Sequence, residues 1–300
     1  MNAFSKHRIA LITGKGGVGK TTLTAAVGRA LAASGRKVLV TEPAYSETDE
    51  LPLARLLGLE PNPKGYVPVT DRLTYTPLRA RTGHETFLRT VIPTPRLIRA
   101  ALRSRAVARF LIAAPSLHEM GLFYHILTLL QREESEGVPA FDSILVDMPA
   151  TGHALALTQL PEILLRLIPS GPIARALREG QEIINDPERG TAWVVSLPLQ
   201  LPVTESLELI EGLTESQMHC SGVILNMMPR DVFDPNEREI LARWCTDHGW
   251  IGSHILARSA DATASVERLR QSLDRPVLSV PRVRNVGDVD AIVRDMVDGA

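Results

Sequence analysis

The sequence predicts an α/β architecture: a mostly parallel sheet flanked by helices, with an inserted helical subdomain. Three observations point there. Short apolar runs alternate with longer helical stretches from one end of the chain to the other, the pattern of strands buried under helices on both faces. A glycine-rich loop, Gly14-Lys15-Gly16-Gly17-Val18-Gly19-Lys20-Thr21-Thr22, joins the first apolar run to a stretch of small and apolar residues. A proline-punctuated, mostly helical stretch then interrupts the alternation. The expected organisation is one domain over 1–300, with a helical subdomain built from 84–135 and 163–188.

Ile9 to Thr13 reads as the first strand and Leu23 to Ala33 as the first helix. A glycine-rich loop in that context is suited to phosphate. Its glycines let the backbone curl and present N–H groups, and the following helix adds the positive end of its dipole. Lys20 is placed to reach the β- and γ-phosphates, and Thr21 to offer a hydroxyl to Mg²⁺. Lys37 to Thr41 is a second strand, ending in Glu42-Pro43-Ala44-Tyr45-Ser46-Glu47-Thr48-Asp49. Polar residues at the carboxyl end of a parallel strand sit where open α/β sheets bind ligands. One reading of Asp49 is a cap on a helix from Glu50 to Leu57.

Leu73 to Leu78 forms a further strand, and His84 to Gln131 is mostly helical. Within it, Arg96 to Ile112 reads as an amphipathic helix with Arg96, Arg99, Arg103, Arg105 and Arg109 on its polar side. That side is either a solvated face or a surface for an acidic partner or anionic lipid. Gly121 to Leu130 is a very apolar helix. Phe141 to Asp147 is a buried strand ending in an acid, placed to organise Mg²⁺ through water.

A helix ended by Leu160-Pro161 and another started by Ser170-Gly171-Pro172 and running to about Ile184 lead to a strand at Trp193 to Leu197, followed by a helix that Thr204 or Glu205 would cap. Ser221 to Asn226 is a strand and Asp234 to His248 a helix. Ile251 to Leu256 is predicted as a strand, Ala260 to Leu273 as a helix, Pro276 to Val280 as the last strand and Val289 to Val297 as the terminal helix.

The string GKGGVGKTT resembles the deviant Walker A motif of P-loop NTPases that include ParA and MinD partition ATPases, nitrogenase iron protein, arsenite-pump ATPases and tail-anchored-protein targeting ATPases. In that group the extra lysine contacts nucleotide held by the other subunit, so the resemblance implies a dimer in which Lys15 acts in trans. Asp147-Met148-Pro149-Ala150-Thr151-Gly152-His153-Ala154-Leu155 is similar to the DTAPTGHTL switch II element of the arsenite-pump (ArsA-like) and targeting ATPases, with proline and alanine exchanged. Glu42-Pro43-Ala44-Tyr45 resembles their DPAH switch I loop, with Glu42 and Tyr45 as departures. Pro115-Ser116-Leu117-His118-Glu119 resembles their PGxxE element.

The resemblance implies that Asp49 orients the attacking water and that a Gly152 N–H senses the γ-phosphate; His153 is read as a helix-start packing or coupling residue, not a base. It also implies that Asn226 hydrogen-bonds adenine, although an asparagine there also suits a turn; Pro281-Arg282-Val283, after the last strand, is expected to close over the base. The implied activity is Mg²⁺-dependent hydrolysis of ATP to ADP and phosphate, switching a dimer between open and closed forms for a hydrophobic or membrane-protein client. The helix after the PGxxE-like element then either lines a client groove or packs in the core. An alternative is a weakly active or non-enzymatic subunit paired with a paralogue.

Composition narrows the classes. A formal net charge of −1 disfavours nucleic acid as partner. Cys220 and Cys245 form no CxxC, which fits a reducing compartment, provides no zinc framework and leaves an arsenite-driven pump without clustered thiolates. With no signal peptide and no spanning apolar run in view, the expected location is cytoplasmic.

Overall fold

The computed structural model describes residues 4, 6–46, 48–91, 115–149, 159, 161–166, 169–230, 233–250 and 252–298. Its strands are β1 (Ile9–Gly14), β2 (Val38–Ala44), β3 (Val67–Pro68), β4 (Leu73–Arg79), β5 (Glu133–Ser135), β6 (Val138–Pro139), β7 (Ser143–Asp147), β8 (Gly190–Ser196), β9 (Cys220–Met228) and β10 (Val277–Pro281). Its labelled helices are α1 (Lys20–Ala33), α2 (Pro52–Leu56), α3 (Ala80–Val91), α4 (Pro115–Leu130), α5 (Pro172–Asn185), α6 (Gln200–Glu215), α7 (Pro235–Asp247), α8 (Gly252–Ser272) and α9 (Val286–Asp298).

Eight strands form one sheet in the order β10-β9-β8-β1-β7-β2-β4-β3, parallel throughout except for the short edge strand β3. The strands β5 and β6 make a separate hairpin that the sequence reading did not include. Both faces of the sheet are covered, and the alternation along a strand shows how. Ile9 and Leu11 of β1 join the core under α4, α5, α6 and α8. Ala10 and Ile12 join the core under α1, α2 and α9. A parallel strand buried on both sides reads as continuous apolar sequence, which is why these runs stood out.

Two expectations fail here. Residues 252–256, expected to complete a strand, form the first turn of α8. The buried apolar residues of that helix, Ala262, Val266 and Leu269, recur at helical spacing, and Ile255 points to solvent. The helix after β8 is also not capped by Thr204 or Glu205. It starts at Gln200, with Leu199 at the cap position, because Pro202 fits a first helical turn. Thr204 then bonds the Gln200 carbonyl inside the helix.

The predicted basic helix from Arg96 to Ile112 lies outside the described residues, as do Thr151, Gly152 and His153. No described helix is long and apolar enough to cross a membrane.

Candidate nucleotide site

The glycine-rich loop leaves the carboxyl end of β1, the strand between β7 and β8 where the chain's order reverses. That reversal opens the crevice where such sheets bind ligands. Gly14 is in register with Val195 of β8. Its φ is +140°, and a Cβ there would lie 2.2 Å from the Val195 carbonyl oxygen, so only glycine lets the two strands approach. Gly19 has φ +91°, and a Cβ would meet the Asn226 amide nitrogen at 2.3 Å.

Lys20, the first residue of α1, is buried and donates to the carbonyls of Gly14 at 3.0 Å and Lys15 at 2.9 Å. Burial pulls its pKa down, against the opposing pull of Asp147. Asp147 arrives from β7, in register with Ile12, and the next N–H, from Met148, bonds the Ile12 carbonyl at 2.9 Å. Burial pushes the Asp147 carboxyl up to about 7, helped by the nearby Glu42 charge and opposed by a bond from the Thr21 hydroxyl, by Lys20 and by a bond from Thr24. A buried carboxyl beside a hydroxyl is an oxygen donor set suited to a hard cation such as Mg²⁺, which keeps several waters and needs few protein ligands. Thr21 and Asp147 would hold it, and it would neutralise phosphate charge.

The loop after β2 is tied in two directions. The Asp49 carboxylate accepts from the N–H groups of Tyr45 at 2.7 Å and Ser46 at 2.8 Å, and from the Ser46 hydroxyl. These bonds hold its pKa below the usual range. Asp49 does not cap α2; that helix is capped from a distance by Glu42, whose carboxylate accepts from Leu53 N and Ala54 N, both at 3.0 Å. The Tyr75 hydroxyl also donates to Glu42 at 3.0 Å, and burial raises the Glu42 pKa. Sequence reasoning placed Glu42 on the loop but missed Tyr75, which only the β2–β4 pairing brings alongside.

The two loops share a neighbour in α4. Tyr45 stacks on His118 with ring centroids 5.0 Å apart. Pro43, Tyr45, Met148 and Pro149 line a cavity against Glu119, Leu122 and Ile126 of that helix.

Asn226 ends up buried against the phosphate loop. Its amide donates to the Val18 carbonyl at 2.8 Å, and its oxygen accepts from Met227 N at 2.9 Å. Met227 takes a left-handed φ of +57°, an uncommon conformation for a side chain of that size. Pro281 is in register with Met228, and Arg282 N bonds the Met228 carbonyl at 2.7 Å, so Pro281 and Asn226 lie on neighbouring strand ends. Gly16, Gly17, Val18 and Thr22 complete the loop, with Val18 buried and the two glycines exposed. Lys15 is partly exposed and its ammonium pairs with Glu205 of α6, a contact no sequence pattern signals.

A family model described as anion-transporting ATPase matches residues 7–170, more than half of the chain. Among curated proteins, the chain is 28% identical over 244 residues to ATPase BagA of Mycobacterium tuberculosis, covering 78% of this chain and 70% of that protein. It is 22% identical over 285 residues to ATPase GET3 of Candida glabrata, covering 80% and 78%. It is 26% identical over 291 residues to the arsenical pump-driving ATPase of Acidiphilium multivorum, covering 92% of this chain and 46% of that one.

Proposed function

This chain belongs to the anion-transporting ATPase family, and from that premise we propose that it hydrolyses ATP to ADP and phosphate with Mg²⁺. The observation that supports this most is the meeting of Lys20, Thr21 and Asp147 at the end of β1. In this reading the N–H groups of the loop and the Lys20 ammonium surround the phosphates and stabilise charge spread over the transferring group. Mg²⁺ held by Thr21 and Asp147 would supply positive charge that offsets the charge developing on the transferring phosphate. Asp49 orients the attacking water. A carboxylate with a lowered pKa does this by charge and is a weak proton acceptor. Glu42 is a second candidate, because it is buried, has a raised pKa and is electrostatically coupled to Asp147. Asn226 and Pro281 take the base.

The chain acts as a dimer, with itself or a paralogue, and Lys15 reaches the partner's nucleotide. Because α4 touches the loops after β2 and β7, a shift in either on loss of the γ-phosphate moves α4 and changes a surface for a hydrophobic or membrane-protein client. A metalloid-responsive role is disfavoured, since the only cysteines, Cys220 and Cys245, are both buried. The test is phosphate release by wild type beside Lys20→Ala, Asp49→Asn and Glu42→Gln, with particle mass measured in ADP and in a non-hydrolysable ATP analogue. Turnover lost in Lys20→Ala and a dimer favoured by the analogue are expected. Absence of turnover in wild type, alone and mixed with paralogues, would overturn the reading. Whichever carboxyl variant loses turnover while keeping nucleotide affinity identifies the water-orienting group.

A further inference from the structure

The Lys15–Glu205 pair joins two elements of unequal rigidity. Glu205 sits on α6, whose face of Val203, Leu209, Ile210 and Leu213 is buried in the sheet core. Its neighbour Thr204 is pinned by Arg268 of α8 at 2.9 Å. Lys15 sits on the exposed crest of the phosphate loop. One Glu205 oxygen takes the Lys15 ammonium, while the other is buried with no hydrogen-bond partner among the described residues. Among the described residues Lys15 is the cation that pairs with Glu205, and the pair holds Lys15 against its own subunit.

The same loop links Lys15 to phosphate occupancy. The Lys20 ammonium donates to the Lys15 carbonyl and to Gly14. A phosphate at Lys20 competes for that donor and releases the Lys15 backbone.

We propose that Glu205 is the resting partner of Lys15: it holds the lysine in cis and yields it, on closure, to the nucleotide of a second copy of this chain. The inference rests on the reading above that Lys15 acts in trans. Glu205 is a positioning residue that acts through Lys15. An exposed ion pair of this kind shifts an equilibrium by about twofold to fivefold. A two-fold dimer makes the exchange twice, so removing both pairs shifts dimerisation by roughly 4- to 25-fold.

The first experiment needs no nucleotide. Lys15 is labelled with an amine-reactive ester and its peptide quantified by mass spectrometry in wild type, Glu205→Gln and Glu205→Asp. Faster labelling in Glu205→Gln, with partial restoration in Glu205→Asp, is expected, and equal rates in all three overturn the pair. The second is dimerisation in Mg²⁺ and a non-hydrolysable ATP analogue at low and high salt. Glu205→Gln should dimerise at a roughly 4- to 25-fold lower concentration, with lower KM for ATP, unchanged kcat and a difference that shrinks in salt. Unchanged or weaker dimerisation overturns the proposal, whatever the labelling shows. Glu205→Ala gives the same reading should the glutamine variant fold poorly. Wild type and Lys15→Gln serve as controls. A wild type that neither dimerises nor hydrolyses ATP refutes the proposed function instead, and the labelling arm still judges the pair.

Discussion

At the scale of single residues, the site is a set of buried charges whose balance is measurable. The Asp147 carboxyl is pushed from an ordinary 3.8 up to about 7, chiefly by burial. The folded chain therefore keeps a proton that the unfolded chain releases between about pH 4 and pH 7. This contribution to stability is fully present below about pH 4 and is lost as pH rises to about 7. Asp147→Asn should remove that part of the slope and be on the order of 4 kcal/mol more stable than wild type at pH 8 without nucleotide. Urea melts of both proteins at pH 5 and pH 8 check it; an unchanged slope in the variant would assign the proton elsewhere. Glu42→Gln should cost about 1 to 3 kcal/mol, because its carboxylate bonds the N–H groups of Leu53 and Ala54 and the Tyr75 hydroxyl, and an amide can accept through one oxygen only. Tyr75→Phe removes one of those bonds and should lose less.

At the scale of elements, the failures of sequence reading have local causes. Ile251-Gly252-Ser253-His254-Ile255-Leu256 has enough β-branched and apolar content to pass for a strand, and its helical period shows only further on, at Ala262, Val266 and Leu269. Ile255 is 68% exposed and Leu269 fully buried. Ile255→Glu should thus change stability by less than about 0.5 kcal/mol, whereas Leu269→Ala should cost about 2 to 5 kcal/mol in denaturant melts. A large loss for Ile255→Glu would put that residue in a core the helix does not provide. The helix α7 was legible because its signals are local: Asp234 accepts from Asn236 N and Glu237 N, and Glu237 reaches back to the Asp234 N–H. The capping of α2 was not, since its acceptor, Glu42, is eleven residues upstream of Leu53 and meets it only through the tertiary fold.

At the scale of the molecule, the covered parallel sheet holds the phosphate loop at its centre, so nucleotide should stabilise the whole fold. At a concentration of MgATP one hundred times its Kd, the gain is about 2.7 kcal/mol, a rise in Tm of roughly 5 °C for a chain of this size. Thermal melts of wild type and Lys20→Ala, with and without MgATP, should show the shift in the first and not the second. A shift that survives in Lys20→Ala would place the phosphates elsewhere. The same sheet order explains why distant motifs converge. The sequence shows strands ending at Thr13, Asp147, Leu197 and Asn226, but only the pairing β9-β8-β1-β7 sets those ends side by side.

Short-range pattern in the sequence by itself determined the fold class, the place of the glycine-rich loop between β1 and α1 and the acid ending β7, because glycine spacing, apolar runs and turn residues act within a few positions of the backbone. Tertiary structure alone decided what the polar and charged groups face: Lys15 toward Glu205, Glu42 toward the start of α2, and Asn226 toward Val18. Those partners are brought together by strand order and helix docking. The free energy of a buried or paired charge depends on that surrounding geometry, which is not encoded in neighbouring letters.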